Sequence, residues 1–497
     1  MGHRAAANTR GGCGMTRWLL LLVPLFTATA CGRQESEGPI RVSAISGPPT
    51  LVDPNRKVPD VTQQALLTAV AQPLLAYDET GQIAPALAQR WIVTSDGLSA
   101  IFRLRRVTWP GGTQVTSQEV ARRVRAMLAP TSRNPLRNAF DSIAEINPTT
   151  PDVIEFRLTT PRPPLFELLA QPEASMLSRR MQGTGPYRID RLEGEVLHLK
   201  PREKDSDGSD PPAHLDLELR GERASRAIVR FNEGKADLVL GGTFRDWPLL
   251  SFAQPQSRAI RVDPAEGLFG LLVQRADGFL AQPANRQAVA MAIDRDAMIT
   301  MMDAPGWGGV LTVLPQRYRS AVDPAFPAWA ALEIGGRIAE ARRRVQAWRN
   351  GNSEPLTIRL SLPEGSGSTL LFGRIAADWR KIGIETVRSA PAQADLRLLD
   401  QVAPAGSALW YLSNVACPSR AACAEDAVAA LDGARKSQSL AERGTQLATA
   451  DRAIADAGFW VPLARPLRWS LVSPRLNLFR PNARALHPLT RLRGERR

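Results

Sequence analysis

An α/β fold spread over two or three domains is what this sequence predicts, and three observations carry the expectation. The chain has 497 residues, more than one hydrophobic core usually serves. Its hydrophobic share of 44% and charged share of 23% are ordinary for a globular protein and leave material for a large core. Apolar segments of strand length also alternate with helical ones. In the clearest case Leu215, Leu217 and Leu219 alternate, 224–232 reads as a helix ending on Glu233-Gly234, and 236–240 returns as a short strand. That strand–helix–strand order predicts a crossover unit in a mixed sheet.

The remaining elements follow in chain order. IRVSAI at 40–45 alternates as a first strand, and Gly47-Pro48-Pro49 with Asp53-Pro54 makes a loop. Residues 61–75 read as a helix. The densest local signals lie in 73–128. Asp78, Glu79 and Gly81 form a polar turn. Pro85 opens a short helix over 86–91, where its missing N–H costs nothing. Ser95-Asp96-Gly97 turns a hairpin between 91–93 and 101–104, and Pro110-Gly111-Gly112 turns the chain again. Thr116 and Glu119 form a capping box on a helix whose Val120, Val124 and Leu128 share one face, with Arg122, Arg123 and Arg125 off it. Strands are expected at 143–146 and 153–158 around Asn147-Pro148, and a helix at 165–169. A turn at 183–186 precedes a hairpin of 187–192 and 195–200, then a polar loop at 204–212.

A second region starts near Asp263. It reads as a strand at 268–274, a long helix at 285–302, a helix at 334–349 and a strand at 356–362. A helix at 369–382 closes on Gly383 and leads into a strand at 384–387. Strands at 396–399 and 409–412, helices at 424–431 and 438–457, and the stretches 460–463 and 470–473 complete the chain.

The formal charge of +14 suggests nucleic acid, but only six of the 63 basic residues are Lys and the Arg are scattered from end to end. Aromatic and basic residues nowhere interleave as a base-stacking groove requires, so no nucleic-acid partner is expected. A basic exterior also suits an anionic membrane surface. At the N-terminus, Arg17 precedes an apolar run over 18–26, the small residues Thr27-Ala28-Thr29-Ala30, and Cys31. That is the outline of a signal peptide, too short to span a membrane comfortably, with Met15 as a plausible start that would exclude Cys13. Ending on a Cys resembles a bacterial lipobox, in which Cys31 is lipidated; Ala28 stands where Leu is usual. Cys417 and Cys423 then remain, and in an oxidising compartment a pair this close is most simply a small-loop disulfide. His3, His198, His214 and His487 lie far from it in sequence, so no metal site is expected there.

The order of the pieces resembles one family. PLLAYDETGQIAPALAQRW, SDGLSAIFRLR and WPGGTQVTSQEV come first, followed by GTGPYRI at 183–189, NEGKADLV at 232–239 and RQAVAMAIDRDAMI at 286–299. DWRKIGIET at 378–386 and FWVPLARP at 459–466 complete the series. Together they are similar to the solute-binding proteins of bacterial ABC importers of the dipeptide/oligopeptide class, extracellular solute-binding protein family 5. The resemblance implies a two-lobed periplasmic-binding-protein fold, class II-like, with mixed β-sheets flanked by helices and a ligand cleft between the lobes. Mapped onto this chain, it implies a signal peptide at 1–31 and a tether at 32–38. Lobe I takes 39–56, 180–262 and 460–497, an extra subdomain of that lobe 57–179, and lobe II 263–459. It further implies a monomer in the periplasm, anchored to the membrane by lipid, that hands a small solute or peptide to an ABC permease complex in the inner membrane. The mechanism would be binding and closure, with no covalent step and no cofactor.

Ligand contacts in the family come from loops facing the cleft. Carried over, they fall on Ile45, Ser46 and Gly47 after the first strand, and on Gln72. Gly241, Gly242, Thr243, Phe244 and Arg245 follow the strand after NEGKAD, and Asp400, Trp410 and Tyr411 come from the second lobe. Trp410 and Tyr411 are either flat aromatic platforms or strand core, and Arg245 either meets a carboxylate bidentately or is a solvated loop residue. Asp294 and Arg295 read as holding a helix end. Peptide-binding members usually carry an Asp-Tyr-Pro-Asp-like segment whose first Asp pairs with the peptide amine. Here Val402-Ala403-Pro404 falls at that place, with Asp400 two residues earlier. The ligand therefore stays open between a peptide, a peptide-like solute and a metal chelate. A transport-independent sensor with the same fold is a second reading. A periplasmic hydrolase is a third, without a G-x-S-x-G or H-E-x-x-H motif to support it.

Overall fold

The computed structural model describes residues 38–78, 80–203, 211, 213–315 and 323–492. The expected signal peptide, Cys31, the tether up to 37 and most of the 204–212 loop lie outside them.

Two large sheets organise the described chain. The first has seven strands in the order β12 (Ile260–Asp263), β18 (Arg468–Val472), β11 (Leu238–Thr243), β1 (Ile40–Ile45), β10 (Leu217–Glu222), β9 (Val196–Pro201) and β8 (Tyr187–Glu193). β1 runs parallel to both β10 and β11, and the helix Ala224–Asn232 carries the chain from one side of it to the other. This is the expected crossover. The helix Val61–Val70 packs Ala65, Leu66, Ala69 and Val70 against Val42, Ala44, Leu219 and Leu240 of this sheet. That helix falls in the segment expected to be the extra subdomain, yet its apolar face belongs to the seven-stranded sheet.

The second large sheet has the order β15 (Glu385–Arg388), β14 (Thr357–Ser361), β16 (Leu396–Val402), β13 (Gly267–Val273) and β17 (Trp460–Ala464). β13 is buried along its whole length, as its unbroken apolar sequence GLFGLLV requires of a strand covered on both faces. β17, expected in lobe I, pairs with β13 here, and the chain recrosses to the first sheet over 465–467. The outward crossing lies at 264–266, between β12 and β13.

Between the helix Val61–Val70 and β8 lie two smaller sheets. One joins β2 (Leu75–Tyr77) to β3 (Ile83–Pro85), and the other has the order β4 (Ala88–Val93), β5 (Ser99–Leu104), β7 (Val153–Leu158) and β6 (Ile143–Thr150). The four-stranded sheet has its own core, in which the rings of Phe102 and Phe156 lie tilted at 5.5 Å and share the core with Val120 and Val124 of the helix Ser117–Leu128. That helix starts on the expected capping box, with Thr116 accepting from the Glu119 N–H and Glu119 from the Thr116 N–H.

Several local expectations give way to pairing partners. Residues 86–91 are not helical. Pro85 ends β3, and 88–93 form β4, because β5 offers a ladder that six helical residues could not match. β6 runs through Asn147-Pro148. It is an edge strand, so the proline's missing N–H breaks no ladder bond, and the reversal comes at Pro151-Asp152. The helix expected at 61–75 stops at Val70, and 75–77 become β2. The expected long helix at 285–302 is two helices, Pro283–Met291 and Arg295–Met302. Asp294 caps the second by accepting from the Ala297 N–H at 3.0 Å. The apolar run 409–412 is not a strand but the first half of the helix Ala408–Ala416, which Ser407 caps. Four apolar residues fit a buried strand or a buried helix equally, and the cap decides.

One buried carboxyl in the second region has a measurable consequence. Asp451, fully buried on the helix Leu440–Ala457, accepts among the described residues only the Ala325 N–H, at 2.7 Å. Burial pushes its pKa up to about 6. The folded state therefore binds a proton that the unfolded chain releases near pH 4. Stability is lost as pH rises between about 4 and 6, by an amount on the order of 3 kcal/mol. Asp451→Asn is expected to melt higher than the wild type at pH 7.5, with the advantage shrinking towards pH 4. An advantage independent of pH in parallel thermal melts would rule out this origin.

Candidate functional site

A cavity of about 470 Å³ opens between the two large sheets. The seven-stranded sheet contributes the end of β11 (Leu240–Thr243) and residues 468–470 of β18. The five-stranded sheet contributes 400–402 from the end of β16, followed by Ala403 and Pro404. Trp410 and Asn414 enter from the helix Ala408–Ala416, and Gln64 and Thr68 from the helix Val61–Val70.

An ion pair crosses the cavity. Arg468 on β18 meets Asp400 on β16, with Nη1 2.9 and 3.1 Å from the two carboxylate oxygens. Both side chains are largely buried, at 17% and 15% exposure. Burial pushes the Asp400 carboxyl above the usual carboxylate range, against the pull of Arg468 and, more weakly, of Arg245. A second pair frames the floor: Arg484 donates to Glu167 at 2.7 Å and to the Ala403 carbonyl at 3.1 Å. Glu167 also accepts the Gly406 N–H at 3.1 Å, and Gln171 donates to the Pro404 carbonyl at 2.5 Å. The segment after β16 is thus pinned by three side chains from outside its own sheet. Asp263 accepts from the Asn482 N–H at 2.9 Å and lies 3.2 Å from the His487 ring nitrogen, which fixes the C-terminal segment at the cavity edge.

The aromatic wall depends on a glycine. Gly242 lies flat against Trp469, so a Cβ at this position would fall 2.1 Å from the indole ring. Trp469 is held in turn by its Nε1–H, which donates to the Thr243 carbonyl at 3.0 Å. Trp410 is half-buried, edge-on to Tyr411 at 5.0 Å.

Of the residues singled out in sequence, Gly241, Gly242, Thr243, Asp400 and Trp410 come together on this cavity. The others lie elsewhere. Tyr411 is fully buried, and Phe244 packs in the core edge-on to Phe269 at 4.9 Å. Ile45 is also in the core, because the burial of β1 extends to its last residue. Ser46 faces the helix start, its hydroxyl 2.8 Å from that of Thr62 and accepting the Thr62 N–H at 3.1 Å. Gly47 abuts the β10 backbone; a Cβ on Gly221 would lie 1.6 Å from its carbonyl oxygen. Gln72 lines a separate cavity of about 430 Å³ and accepts from the Thr184 hydroxyl at 3.2 Å. Arg245 turns back on Thr243, 3.4 Å from its hydroxyl, and reaches the site only through its charge on Asp400. Cys417 and Cys423 are joined in a disulfide.

Arg468, Arg484, Gln64 and Glu173 also line the cavity and were not singled out in sequence. Arg468 follows closely on the FWVPLARP landmark at the start of an alternating run, and that is the one signal that points to it. Among the described residues no group of three or more His, Cys, Asp or Glu side chains is placed to hold a metal ion.

The family profile for bacterial extracellular solute-binding proteins, family 5 Middle, matches residues 82–407. A nickel-binding periplasmic protein of Escherichia coli (strain K12) is 24% identical over 405 residues, 74% of each chain. The crystal structure of Haemophilus influenzae OppA complexed with RPPGFSPFR superposes with a TM-score of 0.76 at 13% identity, covering 92% of this chain and 99% of that one. The Escherichia coli murein tripeptide binding protein MppA gives a TM-score of 0.76 at 16% identity, covering 92% and 98%. At such identities the likeness carries the fold, the two-lobed one of periplasmic binding proteins, in agreement with the sequence expectation.

Proposed function

The chain belongs to the bacterial extracellular solute-binding proteins of family 5, and from that membership we propose that it captures a small peptide or peptide-like solute between its lobes and delivers it to an ABC permease of the inner membrane. The observation that carries this reading is the cavity walled by both large sheets, with Asp400 of one and Arg468 of the other meeting across it. Such a site offers both signs of charge to a solute that carries both, and the Trp410 face supplies flat apolar area at little entropic cost. The crossings at 264–266 and 465–467 are the hinge about which the lobes close. In this reading the protein works in the periplasm, held to the membrane through a lipid on Cys31. The lobes follow the sheets: lobe I contains the seven-stranded sheet and the smaller sheets, and lobe II the five-stranded sheet.

Native mass spectrometry of freshly purified protein is expected to show a co-purified solute of small mass. Small-angle scattering is expected to show a smaller radius of gyration in the loaded form. No bound mass, no heat with any member of a peptide library and no contraction would together sink the reading. Delivery is separable from capture. A protein that binds but never stimulates ATP hydrolysis by a permease encoded beside it is a sensor on the same fold.

A further inference from the structure

Each charged side chain on the cavity wall has an opposite or titratable partner, except one. Asp400 has Arg468, Arg484 has Glu167, and Asp263 has the ring of His487. Glu173 has only neutral donors, its own backbone N–H and the Gln64 amide, which donates to its Oε1 at 2.7 Å. Glu173 is 8% exposed, lines the cavity, and makes no ion pair among the described residues. Its position is fixed. It sits in the short turn Pro172–Ala174, and its carbonyl accepts from Asn134 Nδ2 at 2.8 Å. Pro135, Leu136 and Pro172 flank it on the cavity wall and supply no donor side chain.

We propose that Glu173 is the seat for a primary ammonium group of the captured solute. The proposal rests on the solute-capture reading and names the charge that the solute brings. A carboxylate held in an apolar wall with only neutral donors is costly to ionise, and burial pushes its proton affinity up. An ammonium arriving with the solute supplies the missing counter-charge, and it gains more there than at an exposed carboxylate because little water competes. Asp400 is a poorer seat for the same group, because Arg468 already occupies it. The amine is therefore read by the helix-and-turn wall of the first lobe, through Gln64 and Glu173.

The test is calorimetry with tri- and tetrapeptides of Ala and Gly, each with a free and an N-acetylated amino terminus. Wild-type protein is expected to bind the free-amine forms and to lose the acetylated ones. Glu173→Gln, which keeps the shape and the acceptor for Gln64, is expected to weaken the free-amine forms about 30-fold or more. In the absence of solute it is expected to melt no lower than the wild type. Unchanged affinity in Glu173→Gln, equal binding of free and acetylated peptides, or no binding of any free-amine peptide to the wild type would each overturn the proposal. The co-purified mass and the contraction on loading decide the capture reading separately. If those hold while Glu173→Gln binds normally, capture stands and the ammonium seat falls.

Discussion

Arg295→Met is expected to cost roughly 4 kcal/mol of folding stability, a large fraction of what holds a marginally stable protein together. Arg295 is buried, and among the described residues no carboxylate is hydrogen-bonded to its guanidinium. Its Nε and Nη2 donate to the Pro462 carbonyl at 2.9 and 2.7 Å, and Nε also reaches Val310 at 3.0 Å. Nη1 donates to the carbonyls of Ala290 and Ile293 at 3.2 and 3.1 Å. The guanidinium thus ties the end of one helix, β17 and the loop at 310 into one unit. Burial, helped by the repulsion of Arg337, pulls its pKa down to about 9, so methionine does relieve a desolvation cost. Against that, four backbone carbonyls lose a charge-assisted donor where no water replaces it, at about 1–3 kcal/mol each. Arg295→Lys keeps the charge, but three donors on one nitrogen cannot span the same carbonyls, so it is expected to recover less than half of the loss. Urea unfolding measures both, and a loss below about 1 kcal/mol for the methionine variant would contradict this account.

Gly242→Ala is expected to cost about 3 kcal/mol and to remove solute binding along with it. The added methyl would lie 2.1 Å from Trp469, whose ring is 1% exposed and edge-on to Trp247 at 6.5 Å. The indole cannot retreat without breaking its bond to Thr243, so β11 and β18 must separate where their register already shifts. Gly336→Ala is the control. It lies inside the helix Ile334–Arg349 with nothing nearer than 3.8 Å to the added Cβ, and it is expected to stabilise by about 0.5–1 kcal/mol. Thermal melts of the two variants side by side separate the steric effect from a general intolerance of substitution. Equal stability of Gly242→Ala and wild type would refute the packing argument.

Elements with a complete local signature were legible in the sequence. IRVSAI, the helix Ala224–Asn232, the helix Leu165–Leu169 and the Thr116–Glu119 cap each carry their periodicity and their ends within a dozen residues. Pro85 and the run 409–412 were misread because the deciding information was a ladder partner in one case and a helix cap in the other. Part of the cavity wall was legible where the chain resembles its family, at Gly241, Gly242, Thr243, Asp400 and Trp410. The wall was not legible at Arg468 and Glu173. Arg468 meets Asp400 across 68 residues, and Gln64 meets Glu173 across 109. No local pattern marks either residue, since an arginine opening a strand and a glutamate after a proline are ordinary surface choices until the fold encloses them.

The two crossings between the sheets have a consequence for the order in which the molecule can be made. The five-stranded sheet is complete once residue 464 has emerged, whereas β12 has no partner but β18 and the outer edge of β11 stays open until 468–472 follow. A chain made from its N-terminus therefore carries an unsealed first sheet until residues 468–472 are in place. A product truncated after 464 keeps that edge permanently, an unpaired row of N–H and C=O groups able to recruit a second chain. Loss of residues 465–497 should thus yield aggregates in place of a shorter soluble binder. Quality control by proteases would meet this protein at its seam over 465–472.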